Sequence, residues 1–234
     1  MWATKAGDEP LATLTALDIE EARVCKLHLY QLLDTPAEAP LDDLTTLAAS
    51  ICEVPISLIS LVDTDRQWFK SKHGLTTNET PRAHSFCTHA IESDEIMIVE
   101  DATDDTRFVD NPLVTNDPHI RFYAGAPLVI DGLRLGTLCV IDQVPRRLDE
   151  TQLRSLATVR DAVVAHIKLA EVSREIDALH HLVPVCAWCH SVQDGGDWRP
   201  LYDFVSAQGV THSICPTCET GEQLRRDRRL VEPD

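Results

Sequence analysis

Residues 121–142 read RFYAGAPLVIDGLRLGTLCVID, two apolar runs on either side of Asp131-Gly132. An Asp-Gly pair suits a two-residue type I′ turn, in which both residues need positive φ. Phe122–Ile130 and Arg134–Ile141 therefore read as an antiparallel hairpin. Phe122, Ala124, Ala126, Leu128 and Ile130 face one way; Tyr123, Gly125, Pro127 and Val129 face the other. Neither set is polar, so both faces of the sheet are expected to be covered. Pro127 has no N–H for a ladder and requires an unpaired edge or a bulge. Gly125 and Gly136 allow close backbone approach in mid-strand, as in the wall of a small-molecule pocket.

Upstream, VPISLISLV (54–62) is an apolar strand, and RQWFKSKH (66–73) pairs back on it and ends at Gly74. Trp68 and Phe69 bring aromatics to opposite faces of this hairpin. Ile96–Glu100 is a further short strand, and Ser85–Ile91 a short helix capped by Ser85. Two helices precede the strands. One runs from Asp18 to Leu33, and the other is capped by Asp42 and carries Leu44, Leu47, Ala48 and Ile51 at helical spacing. Cys25 and Cys52 sit among these apolar positions and read as small buried hydrophobes. The order predicts an α/β (α+β) sandwich around one mixed or antiparallel sheet.

Downstream, a long helix opens at Asp149, with Gln152 completing a capping box. Leu153, Leu156, Val159 and Val163 pack on the domain. Leu169, Val172, Ile176, Leu179 and Val183 then follow a 3-4-3-4 spacing, a short coiled-coil seam that predicts a parallel homodimer. One amphipathic helix packing on its own domain is the alternative reading. Pro184 ends the helix.

The chain has 234 residues, a formal net charge of −17 and eight cysteines. Such acidity disfavours binding to nucleic acid or an anionic membrane, which needs clustered Lys and Arg. The basic cluster Arg225, Arg226, Arg228 and Arg229 reads as a solvated tail or a small binding patch. The N-terminus lacks an apolar signal core, and no run approaches the ~18 apolar residues of a membrane span. A cytoplasmic protein is expected, with cysteines as reduced thiols or metal ligands.

Cys186 and Cys189 form one CxxC pair, and Cys215 and Cys218 a second. Two such knuckles complete a closed tetrahedral site for one structural Zn²⁺. The segment between them is too short for its own core, so the metal would supply its stability, with Trp198, Leu201, Tyr202, Phe204 and Val205 packed around it. An iron–sulfur cluster or a thioredoxin-like redox pair are rival uses of these thiols. The c-type haem pattern CAWCH belongs to exported proteins and leaves Cys215 and Cys218 unused. His190 and His212 lie close enough in sequence to replace a ligand or support one.

Five stretches occur in order: YQLLDTP (30–36), VPISLISLVDTDRQWFKSKHGL (54–75), ETPRAHSFCTHAI (79–91), DATDDTRFVDNPLV (101–114) and RFYAGAPLV…LGTLCVID (121–142). Together they resemble a bacterial GAF domain, of the subtype found beside sensor histidine kinases and diguanylate cyclases. The resemblance implies a central antiparallel sheet of five or six strands, with helices on one face and loops enclosing a ligand pocket on the other. It implies regulation rather than catalysis, with an unidentified small-molecule ligand and a signalling partner acting in trans. The family pattern puts Trp68, Phe86, Cys87, Arg107, Phe108, Phe122 and Tyr123 at the pocket; plain core packing is the equal alternative for Trp68 and Phe122, and Arg107 either meets an anion or neutralises Asp101, Asp104 and Asp105. Cys87, between His84 and His89, reads as a buried cysteine, a redox-active thiol or a metal ligand. An enzyme reading, a thiol-dependent reductase, would use Cys87; a redox or metal sensor would use the four-cysteine site as its input.

The expected order is thus a leader (1–17), a GAF domain (18–168), a linker helix (169–183), a zinc-ribbon-like module (184–222) and a basic, then acidic tail (223–234).

Overall fold

The computed structural model describes residues 16–180, 185, 186, 188–194 and 196–203. Residues 1–15 of the leader, Val183, Phe204, Val205, His212, Cys215, Cys218 and the basic cluster fall outside them, while Ala16 and Leu17 already belong to the first helix. The chain divides into two compact units, 1–173 and 174–234.

In the first unit, helices α1 (Ala16–Leu29) and α2 (Ala39–Cys52) precede strands β1 (Ile56–Val62), β2 (Arg66–His73) and β3 (Glu79–Pro81). Then come the short helix α3 (Phe86–Ala90), β4 (Met97–Val99), the one-turn helix α4 (Pro112–Thr115), β5 (Phe122–Ile130) and β6 (Leu133–Asp142). The sheet order is β3-β2-β1-β6-β5-β4, and every pairing is antiparallel. Helix α5 (Glu150–His180) follows, and Ser173, where the first unit ends, lies within it.

The Asp131-Gly132 turn has the expected left-handed pair, φ 51° and 80°. Ile130 pairs with Leu133, and Val129 with Arg134, but Pro127 pairs with Thr137. One residue of β5, Leu128, thus opposes two of β6, so the extra residue bulges from β6 at Leu135-Gly136. Beyond Gly125, β5 also leaves the reach of β4, which pairs only with Tyr123–Gly125, so Pro127 lies on an edge that β4 does not cover.

The sheet separates two cores. On one face Leu27, Leu41, Ala48, Leu156 and Val163 from α1, α2 and α5 pack on Ile59, Leu61, Trp68, Phe122, Leu128 and Leu138. On the other, Phe86, Phe108 and Val114 pack on Ile56, Leu58, Phe69, Tyr123, Cys139 and Ile141. A second bulge, at Ile59/Ser60 against Phe69 and Ser71, leaves Lys70 as the odd residue. Its buried ammonium binds the Thr35 hydroxyl, the Pro36 carbonyl and Glu38, tying the 34–38 turn to the sheet.

Four local expectations are corrected. Helix α1 stops at Leu29, because Gln31 turns left-handed at φ 50°. Helix α2 starts from Glu38, with Pro40 in its first turn, and Asp42 instead accepts a 2.6 Å hydrogen bond from Ser71. Strand β1 begins at Ile56, because the Val54 N–H closes the end of α2 on Ala49 and Pro55 has no N–H. Cys25 is exposed, since Arg23 and Leu27, each two residues away, form the buried face of α1. The Ser85 cap on Thr88 and the reciprocal Asp149–Gln152 capping box form as expected.

In the second unit, β7 (Val192–Asp194) and β8 (Asp197–Arg199) form a hairpin. Val192 is buried, but Trp198, Leu201 and Tyr202 are exposed rather than packed inside. Trp198 pairs with Gln193, one residue out of phase with Val192.

Candidate functional site

The loop-covered face of the sheet holds a cavity of about 260 Å³. Its mouth is marked by the exposed Thr76, Thr77 and Asp117, and its floor by the buried Leu58, Cys87, Tyr123 and Cys139. Ile56, Phe69, Phe86, Leu113, Ile120 and Ile141 make the walls mainly apolar.

The polar groups are few and placed. Gln67 reaches the cavity from β2, and its carboxamide oxygen accepts from the hydroxyls of Ser85 and Ser60. That leaves the amide N–H groups as the part of the side chain to meet a ligand. Thr80 Oγ1 is buried with no hydrogen-bond partner among the described residues, an uncommon state for a hydroxyl. Among those residues no lysine or arginine lines the cavity, and Asp117 is its one formal charge.

The floor carries a sulfur cluster. Cys87 Sγ lies 4.0 Å from Cys139 Sγ and accepts from Thr137 Oγ1 at 3.1 Å and from Tyr123 Oη at 3.4 Å. The contact with Cys139, joined by these hydroxyls, holds the Cys87 thiol below the ordinary range against the opposing effect of burial. The same contact, with burial, pushes the Cys139 thiol up. Burial, and next the charge of Cys87, pushes the Tyr123 phenol up, so its proton stays available to donate.

Of the residues expected at the pocket, Phe86, Cys87 and Tyr123 line this cavity. Phe108 stands behind it, stacked on Phe86 at 3.9 Å between ring centroids. Trp68 and Phe122 lie in the helix-side core, since each is one residue out of phase with the cavity-lining Phe69 and Tyr123. Arg107 does not reach the cavity. It is an exposed side chain paired with Asp105 at 2.6 Å and lies over the Phe108 ring. His89 packs edge-on against Phe108, and among the described residues no group of three or more metal-ligating side chains gathers at Cys87. Gln67, Thr80, Thr137 and Cys139 carried no sequence signal of a site, being single polar residues in strands.

A family profile for the GAF domain matches residues 36–167. The chain belongs to the GAF family. GAF domains are sensory, small-ligand-binding modules of signalling proteins. This GAF chain is 41% identical over 169 residues to a cyclic di-GMP phosphodiesterase of Pseudomonas aeruginosa. The match spans 71% of the chain but only 29% of that relative's length. Among solved structures, the GAF domain of an Acinetobacter phosphoenolpyruvate-protein phosphotransferase is 19% identical, with a TM-score of 0.49, covering 67% of this chain and 94% of that one. The blue-light-absorbing PixJ GAF domain of Thermosynechococcus elongatus is 15% identical, with a TM-score of 0.49, covering 70% and 96%.

In the second unit, the Cys186 N–H bonds the Ser191 carbonyl and the His190 N–H bonds the Cys186 carbonyl, with His190 at φ 58°. This tight turn holds Cys186 and the exposed Cys189. Among the described residues no cluster of three or more metal-ligating side chains forms, and no helix is long and apolar enough to cross a membrane.

Proposed function

We propose that the cavity is the sensory site and that it takes a small, predominantly apolar ligand without an anionic group. The observation carrying this reading is the cavity's polar inventory: an orphan Thr80 hydroxyl and the Gln67 amide within apolar walls, with Asp117 at the mouth. An anion would be desolvated there beside a carboxylate and without a cation, which is strongly unfavourable. The volume lies just below the usual ~300–1,000 Å³ of ligand pockets and suits one or two rings, not a cyclic dinucleotide. A thermal-shift titration tests this, with indole as the neutral probe and cyclic di-GMP as the anionic one. Stabilisation by indole that is lost in Gln67→Leu supports the reading. Stabilisation by cyclic di-GMP alone overturns it.

The output of this reading is conformational. Ligand occupancy shifts the packing of α5, and the segment beyond it presents a different surface to a signalling partner in trans. Leu169, Val172 and Ile176 are exposed on α5, which supports the seam of a parallel homodimer. Cys186, Cys189, Cys215 and Cys218 hold one structural Zn²⁺ in that segment; the support is the double CxxC spacing and the tight turn that presents the first pair.

A further inference from the structure

We propose that Cys87 and Cys139 are a peroxide-reactive dithiol at the floor of the GAF cavity, closing to a reversible disulfide when a hydroperoxide enters. The inference goes beyond ligand sensing and does not depend on which ligand the cavity takes.

Geometry carries it. Cys139 stands on β6 and Cys87 on α3, so the pair joins the sheet to the element that covers it. Their sulfurs, 4.0 Å apart, need about 2 Å of travel to reach the ~2.05 Å of a disulfide, within reach of side-chain rotation. Both line a cavity whose mouth is exposed, which gives a small oxidant a path to the floor. Thr137 and Tyr123 point hydroxyls at Cys87, the arrangement that stabilises a thiolate. Cys52 is the internal contrast: it too is buried, and burial, then Asp149, pushes its thiol up to about 11. No hydroxyl donates to Cys52 among the described contacts, and it is expected to be inert.

The chemistry balances. The Cys87 sulfur attacks the terminal oxygen of the hydroperoxide and the O–O bond breaks. Cys87 becomes a sulfenic acid, and the remaining oxygen leaves as alcohol or water with the proton given up by the thiol. The Cys139 sulfur then attacks the sulfenic sulfur; the S–S bond forms, the S–O bond breaks, and water departs with the Cys139 proton. Two thiols lose two electrons and the peroxide gains them. A small thiol reductant restores the dithiol by exchange. The disulfide would tie α3 to β6 and change the cavity floor, coupling oxidation state to ligand binding.

The test uses full-length reduced protein exposed to a small excess of hydrogen peroxide, quenched by denaturation in iodoacetamide and mapped by mass spectrometry without reduction. A peptide pair linked through Cys87 and Cys139, returned to free thiols by dithiothreitol, is expected. In Cys139→Ser the sulfenic acid on Cys87 should be trapped by dimedone, and Thr137→Val should slow oxidation about ten-fold or more as the thiolate fraction falls. Full alkylation of both cysteines in peroxide-treated wild-type protein overturns the proposal, as does over-oxidation of Cys87 with Cys139 still a thiol. The wild-type readouts hold even if a variant fails to fold.

Discussion

Gly136 and Ser60 meet backbone to backbone: a β-carbon on Gly136 would stand 2.0 Å from the Ser60 carbonyl oxygen. That contact sits at the β6 bulge, where the strand changes phase. Gly136→Ala must therefore displace β1 from β6, since neither backbone can yield locally. A loss of about 3 kcal/mol or more is expected in urea unfolding, at or above the upper end for overpacking. Gly132→Ala is the comparison. Its added methyl meets nothing within 4 Å, and only its φ of +80° is strained, so about 1–2 kcal/mol should be lost.

Trp68 and Phe69 are adjacent but serve different cores. Trp68→Ala should cost about 3–5 kcal/mol of stability while leaving the cavity walls in place. Phe69→Ala should enlarge the cavity, so that a two-ring probe such as 2-phenylindole stabilises the variant more than the wild type. Equal probe preferences in the two proteins would place the ligand elsewhere.

Arg107→Ala should change stability by no more than about 1 kcal/mol, because its pair with Asp105 is substantially exposed. The indole thermal shift should survive unchanged. Its disappearance in this variant would move the site to the Asp105 loop.

Acid should weaken the attachment of α1. Glu20 is bound by Arg23, and then by Arg82, which together hold its carboxyl down to about 2 from an ordinary 4.5. A depressed carboxyl pKa contributes stability above its unfolded value, and that contribution is lost as pH falls from about 4.5 towards 2. Glu20→Gln should flatten the stability profile in this window and leave the slope above pH 6 unaltered.

Freshly purified reduced protein should carry one zinc per chain by elemental analysis. Structural zinc contributes folding energy on the order of 10 kcal/mol, so a strong chelator should make the segment after α5 protease-sensitive. Cys186→Ser and Cys215→Ser should do the same, while the indole shift of the GAF domain persists. Iron, or no metal, would remove this assignment.

Ile176→Asp tests the seam. The wild type should be dimeric by light scattering at tens of micromolar and the variant monomeric with its GAF unfolding midpoint kept. A monomeric wild type would make the exposed apolar positions of α5 something other than a dimer seam.

Local chemistry made much of this fold legible from the sequence. Asp131-Gly132 demanded two positive φ angles and so placed the hairpin; Pro127 demanded an irregularity beside it; Ser85 and Asp149 marked helix starts. Alternation separated Trp68 from Phe69 and Phe122 from Tyr123, but it does not say which face a loop will cover. That choice is tertiary, made where α1, α2 and α5 settle on one side of the sheet. The cavity floor was hidden for a sharper reason. Continued from the turn without a bulge, the pairing would set Leu138 opposite Gly125; the extra residue at Leu135-Gly136 sets Cys139 there instead. A one-residue slip moves every later side chain to the other face. Thr137 and Cys139 therefore meet Cys87 only because β6 bulges in its pairing with β5; Pro127 signals an irregularity there, but which strand carries the extra residue is decided by the pairing of the two strands and not by a local pattern.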